Sequence, residues 1–168
     1  MNNVSDPKHT LPSRDAKCVT RRWKLTTIVE IRATDPLMSA VYALRREVFV
    51  IEQGVPEELE VDENDKVAVH LAALSDGHVI GTLRIVRHEH TAKIGRMAIS
   101  ANSRKKGIGR ELMEFAAAAA SSDGAQEIVL AAQFTAREFY GQLGYIQEGA
   151  IFDDAGISHV MMRKKLRR

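Results

Sequence analysis

The sequence predicts a single α/β (α+β) domain on a mixed, mostly antiparallel sheet, with elements in the order β-α-β-β-β-α-β-α-β-β. Three observations predict it. Apolar strand patterns separated by short turn sequences read as antiparallel hairpins. Two longer segments repeat apolar residues at steps of three and four, the period of a helix with one buried stripe. Between helical patterns lies the short run Ile128, Val129, Leu130, which reads as a buried strand.

In chain order, Leu25, Thr27, Val29 and Ile31 alternate as a half-buried strand. Asp35-Pro36 stops it, with Asp35 able to accept from a new helix turn and Pro36 suited to the first helical position. Leu37, Val41, Leu44, Val48 and Ile51 then form one helical stripe that should end at Gly54. The pattern is lost from Val55 to Lys66. It resumes as strands over Val67 to Ser75 and Val79 to Arg87, joined by the turn pair Asp76-Gly77, and over Thr91 to Ile99. Ile108, Leu112, Phe115 and Ala119 mark a second helix that stops near Gly124. Thr135 to Leu143 is a third, closed by Gly144. Tyr145 to Phe152 and Ile157 to Arg163 make a final hairpin across Asp153-Asp154-Ala155-Gly156. Residues 1–23 read as a flexible tail and residues 24–168 as the domain.

Composition narrows the function classes. Of 168 residues, 45% are hydrophobic and 27% charged, which suits one soluble globular domain. No apolar run approaches a membrane span, and Met1 to Arg22 lacks the apolar centre of a secretory signal, so the expected location is cytoplasmic. Cys18 is the lone cysteine, which rules out an intramolecular disulfide. The net charge of +2 argues against nucleic acid as a partner, although both chain ends are basic. Glu47 to Asp65 is acidic. His88-Glu89-His90 falls in a hairpin turn without a completing ligand cluster, so no metal site is expected.

The most informative run is Arg104-Lys105-Lys106-Gly107-Ile108-Gly109, between a predicted strand and a predicted helix. Glycines let a backbone approach a ligand without a Cβ in the way, and the unpaired amides of a helix's first turn favour an anion. Neighbouring basic side chains add charge-assisted bonds. An ordinary surface loop at a glycine-rich helix start would show the same pair. Neither a Walker loop nor a dinucleotide fingerprint is matched, and no Gly-x-Ser-x-Gly occurs.

Arg104, Gly107 and Gly109 match the motif Arg/Gln-x-x-Gly-x-Gly/Ala of the GCN5-related N-acetyltransferase superfamily, which the chain therefore resembles. A second motif of that family, Asn-x-x-Ala-x-x-apolar-Tyr-x-x-x-Gly-aromatic, is similar to Gln133, Ala136, Phe139, Tyr140, Gly144 and Tyr145, with Gln where Asn is usual. The phrases Val48 to Pro56, Lys93 to Arg96 and Gly156 to His159 resemble the ElaA-like or YjcF-like bacterial group, whose acceptors are largely unassigned.

The resemblance implies direct transfer of an acetyl group from acetyl-coenzyme A, as co-substrate, to an amine of a small molecule or peptide within a ternary complex. The pyrophosphate would fit the backbone of Lys105, Lys106, Gly107, Ile108, Gly109 and Arg110, with Arg104 beside it. Pantetheine amides would pair with Met97, Ala98 and Ile99 as an added strand, and Gln133 would contact the cofactor. By resemblance, an amide at or beside Ala98 polarises the thioester carbonyl. Tyr140, protonated at neutral pH, would act as general acid toward the departing thiolate; as a motif-free reading it is a structural tyrosine on an amphipathic helix.

For the general base the residues leave several candidates: Glu52, Glu58, Glu60, Asp62, Asp65, His70 and His159. His70 and Glu60 stand out, His70 because imidazole titrates near working pH and Glu60 because its loop commonly builds acceptor specificity in this superfamily. Their alternatives are a hydrogen-bonded structural histidine and a solvated charge run. The acidic loop would favour a cationic acceptor. The competing function is a non-catalytic module that binds or senses acyl-coenzyme A on the same fold. Exposed strand edges leave a homodimer open.

Overall fold

The structure, a computed structural model, describes residues 21–23 and 26–166. Cys18, residues 1–20 of the expected tail and the terminal arginines 167–168 lie outside the described residues. The sheet has eight strands in the order β1-β2-β3-β4-β5-β6-β8-β7. They are β1 (Arg21–Trp23), β2 (Thr26–Ile31), β3 (Val69–Ser75), β4 (His78–His88), β5 (Thr91–Ile99), β6 (Glu127–Gln133), β7 (Ile146–Asp154) and β8 (Ile157–Lys165). The expected order of elements is present. One strand was not expected: β1 pairs antiparallel with β2, so the sheet reaches into the segment read as tail.

Helices cover both faces. On one face α4 (Ile108–Ser122) sets Leu112, Phe115 and Ala116 against Leu71, Leu83, Ile85, Ile94, Ile128 and Leu130. On the other, α1 (Met38–Arg45) packs Met38 and Val41 on Ile31 and Ala72, and places Leu44 with Val48 against Ala98. Neighbouring residues of one strand thus serve opposite cores, as Leu71 and Ala72 do, which is why β3 reads as a continuous apolar run.

Three expectations at the helix ends change. Asp35 Oδ1 accepts from the Leu37 amide at 2.9 Å, but Leu37 is itself the residue before the helix, and regular helix begins at Met38 rather than Pro36. From Arg46 to Glu52 the helix continues as a π-helix. The wider turn breaks the step-of-three-and-four stripe, so Val48 is buried while Ile51 is 67% exposed. Val55 to Lys66, which showed no periodicity, contains two one-turn helices, α2 (Glu57–Glu60) and α3 (Asn64–Val67); Val67 belongs to α3 and not to the strand after it.

Those short helices are held by charge. Arg45, fully buried, donates from Nε to Glu60 Oε1 (2.5 Å), from Nη1 to Asp65 Oδ1 (2.7 Å) and from Nη2 to the Glu60 carbonyl (2.8 Å). Arg84 grips Asp62 with both Nη atoms (2.7 and 3.0 Å) and reaches Asp65 Oδ1 at 2.9 Å. Three arginines meet three carboxylates when Arg96 is counted, since its Nη2 lies 3.3 Å from Asp62 Oδ2. Burial alone would raise the Asp65 carboxyl, but the hydrogen bonds from Arg45, the Asp62 amide and Arg84 outweigh it and hold Asp65 well below its ordinary value.

Removing one partner of such a pair leaves a buried charge uncompensated. Arg45→Met is expected to cost about 3–5 kcal/mol in urea unfolding at pH 7. The pH dependence has a definite sign. A depressed folded-state carboxyl contributes stability that is fully present above the ordinary aspartate value and is lost as pH falls through the folded value. The wild-type chain should therefore hold its fold below pH 4, and the acid unfolding midpoint of Arg45→Met, followed by circular dichroism, should move to higher pH.

Candidate acyl-transfer site

The site begins with a strand that cannot keep both neighbours. β5 pairs parallel with β6 only from Thr91↔Glu127 to Ile94↔Leu130. Its antiparallel pairing with β4 continues, but Thr82↔Ala98 and Arg84↔Gly95 leave Leu83 opposite both Arg96 and Met97. This bulge puts Arg96 in the left-handed region, φ 51. A non-glycine residue pays for that conformation only when its side chain is held. Arg96 is held: Nε donates to the Glu60 carbonyl at 2.8 Å and Nη2 to the Leu59 carbonyl at 2.9 Å. Past the bulge, Ala98 and Ile99 remain paired to β4, while the edge of Met97, Ala98 and Ile99 toward β6 has no strand partner among the described residues. The free edge is the one that the resemblance assigns to pantetheine.

At the end of that edge the chain makes a single 3₁₀ turn (Ala101–Ser103) and enters α4 through left-handed residues Lys105 (φ 60) and Gly107 (φ 87). Gly107 needs its lack of a side chain for the backbone angle, since a Cβ there would meet only open space. Gly109 needs it for proximity: a Cβ would lie 2.9 Å from Met97 Cε and 3.4 Å from Phe139 Cζ. The first intrahelical acceptor of α4 is the Gly107 carbonyl, taken by the Glu111 amide at 3.0 Å. The amides of Ile108, Gly109 and Arg110 come before that bond and are the open donors of the first turn, with Lys105, Lys106 and Arg110 exposed around them. These residues fit a pyrophosphate.

Arg104 sits differently from its expected role. Its guanidinium is a bidentate partner of Glu52 (2.7 and 2.6 Å), and Nε donates to the Ile99 carbonyl at 3.1 Å. It ties the end of the π-helix to the glycine loop, and its hydrogen bond holds the Glu52 carboxyl below the usual range. Gln133, at the end of β6, donates to Gln53 Oε1 at 2.7 Å, so a pair of neutral amides spans the mouth between the end of the π-helix and the strand.

Tyr140 lies on α5 (Arg137–Gln142), and its hydroxyl donates to Met97 Sδ at 3.7 Å, beside the free edge. Phe139 and Tyr145 meet its ring edge-on, with centroids 5.0 and 6.0 Å away. Burial pushes the phenol up to about 12, so it is fully protonated at neutral pH. The two named base candidates are placed elsewhere. Glu60 is 4% exposed with its carboxylate on Arg45, and His70 is fully buried in β3. His70 Nε2 donates to the Asp65 carbonyl at 3.0 Å, and burial lowers its pKa. Within the acidic loop Glu60, Asp62 and Asp65 face inward onto Arg45, Arg84 and Arg96, while Glu57, Glu58 and Glu63 are exposed.

Arg45, Arg84 and Arg96 were not singled out from sequence. Each had a signal: Arg45 stands beside the buried stripe of α1, Arg84 interrupts an apolar strand, and Arg96 follows a glycine within β5. Three cations inside apolar patterns need three anions, and the acidic segment between them in sequence supplies those.

Among the described residues no group of three or more His, Cys, Asp or Glu side chains is arranged to hold a metal ion, and no helix is long and apolar enough to cross a membrane. A family model for the acetyltransferase (GNAT) domain matches residues 31–166, and the chain belongs to that family. It is 34% identical over 131 residues to the uncharacterized N-acetyltransferase YjcF of Bacillus subtilis, covering 77% of this chain and 93% of the relative. An acyl-CoA N-acyltransferase from Pseudomonas aeruginosa superposes with a TM-score of 0.74 at 33% identity, over 82% of this chain and 97% of that one. Escherichia coli ElaA shares the fold, with a TM-score of 0.74 at 22% identity over 82% and 97% of the two chains. The fold is that of an acyltransferase.

The environment of Tyr140 can be checked directly. At pH 10, where free tyrosine is half ionised, Tyr140→Phe should leave the phenolate absorbance of the folded protein unchanged. A drop in that absorbance would mean that Tyr140 titrates like a solvated phenol.

Proposed function

We propose that this protein transfers an acetyl group from acetyl-coenzyme A to a primary amine of a small molecule or peptide, directly and within a ternary complex. The observation that carries the reading is the free β5 edge at Met97, Ala98 and Ile99, continuous with the open amides of Ile108 to Arg110. One feature offers pairing for an extended diamide chain and the other a seat for a diphosphate, in the order coenzyme A presents them. When bound, acetyl-coenzyme A supplies an activated acyl carbon. Ala98 or its neighbour lends an amide to the carbonyl oxygen, and Tyr140 holds its proton within reach of the same edge.

In this reading Arg104 acts through position, fixing the loop on Glu52, while the anion is met by backbone amides and by Lys105, Lys106 and Arg110. Gln133 borders the mouth through its bond to Gln53. Glu60 and His70 are assigned structural roles, as their buried partners require. A cytoplasmic location accords with this co-substrate.

Isothermal titration with acetyl-coenzyme A should give micromolar binding that Gly107→Trp abolishes. Tyr140→Phe should retain that binding and lose turnover by roughly 10²–10⁴-fold, the usual contribution of a positioned acid. Binding without any turnover, in both proteins, would favour a module that senses acyl-coenzyme A. Unchanged turnover in Tyr140→Phe would remove it from the mechanism.

A further inference from the structure

We infer that His159 is the general base that takes the proton from the acceptor amine, working from the face of the sheet opposite Tyr140. The inference rests on the acyl-transfer reading above and adds the residue that reading lacks.

The register places it. Leu130↔Met162 and Ala132↔Val160 pair across β6 and β8, and all four side chains belong to the core under α4. Side chains alternate along a strand, so the next pair, Gln133↔His159, projects from the opposite face. That is the face on which Gln133 meets Gln53 from the π-helix side. Gln133 ends the strand that has parted from β5, so His159 stands one strand spacing, about 4.8 Å, beyond the border of the gap. Tyr140 and Met97 pack instead against the α4-side core. An acyl carbon in the gap would have the acid on one side and His159 on the other, which suits a nucleophile and a leaving group that occupy different sides of the reacting carbon.

The tautomer is set by the backbone. His159 Nδ1 lies 2.7 Å from the Ile157 carbonyl, which can only accept, so Nδ1 carries the hydrogen and Nε2 keeps a free lone pair. The ring stacks on Phe152, with centroids 6.0 Å apart and planes at 27°, which restrains its rotation. No ion pair to His159 occurs among the described residues, and the ring is half-buried rather than sealed. His70 has the mirror arrangement, with Nε2 donating to a carbonyl and Nδ1 bare, but it is fully buried and no acceptor can reach it. Of the two histidines with a fixed lone pair, only His159 can meet a substrate.

The step balances with these two groups. His159 Nε2 takes one proton from the ammonium form of the acceptor, which frees the nitrogen lone pair to form its bond to the acyl carbon. As the carbon–sulfur bond breaks, Tyr140 gives its phenol proton to the sulfur. His159 then releases its proton to solvent, Tyr140 regains one given up by the newly acylated nitrogen, and the products are the amide and free coenzyme A thiol.

His159→Gln keeps a polar side chain of similar size and removes the basic nitrogen. Thiol release from acetyl-coenzyme A would be followed with three acceptors: tyramine, largely protonated at pH 7; methoxyamine, already neutral; and water alone. The expected result is at least a tenfold loss of kcat/KM for tyramine and of hydrolysis, a smaller loss for methoxyamine, and an unchanged KM for acetyl-coenzyme A. Equal losses for both amines, or no loss, would overturn the assignment. Nitrogen-15 NMR of the wild-type protein gives a second reading that needs no variant: a His159 ring protonated at Nε2 rather than Nδ1 near neutral pH would also overturn it. A wild-type chain that binds acetyl-coenzyme A and releases no thiol with any of the three acceptors would contradict the transferase reading itself. Normal wild-type turnover that His159→Gln leaves intact would contradict only the base.

Discussion

The bulge at Arg96 is the constraint on which the rest of the molecule depends. A strand with a parallel neighbour on one side and an antiparallel neighbour on the other could pair along its whole length, and β5 does so only as far as Ile94. One extra residue against β4 then re-aims the strand, and the sheet opens between β5 and β6. Without that opening there would be no unpaired edge in the centre of an eight-stranded sheet and no gap between the two helical layers. Unpaired backbone in a sheet interior costs free energy unless something satisfies it. A ligand with an extended amide backbone does so, and the strand leads from that edge straight to a helix start with open amides.

The left-handed residue at the bulge is stabilised from a distance. Arg96 reaches the carbonyls of Leu59 and Glu60, which puts α2 against the back of the opening, and Arg45 and Arg84 complete the neutralisation of Glu60, Asp62 and Asp65. Six charges that would each be costly to bury alone become a framework when every one has a partner. Glu60, Asp62 and Asp65 are therefore neutralised within the loop behind the opening. The amides of Gln53 and Gln133 meet at the end of β6, where Gln133 pairs with His159 of β8.

Much of the fold was legible because its signals are local. The hairpins, the helix after Gly107 and the buried run Ile128 to Leu130 follow from periodicity and turn chemistry, and the glycine spacing marked the left-handed entry to α4. Other features depend on contacts distant in sequence. The π-helix over Arg46–Glu52 has no simple apolar period, so Ile51 reads as core while standing in solvent. Arg104 reads as a phosphate ligand until Glu52 is found 52 residues away in sequence and 2.6 Å away in space. Glu60, Asp62 and Asp65 read as part of a solvated charge run because their arginine partners come from three separate elements. His159 was one base candidate among several, and its register between β6 and β8, its ring contacts and its partial exposure set it apart.

The central claim is that one continuous surface, from the open edge of β5 to the first turn of α4, holds acyl-coenzyme A. Hydrogen–deuterium exchange of the protein with and without acetyl-coenzyme A tests it with no acceptor required. Protection concentrated in peptides covering Met97 to Ile99 and Lys105 to Arg110 is the predicted result. Protection confined to other segments, with these two unchanged at saturating ligand, would contradict the account.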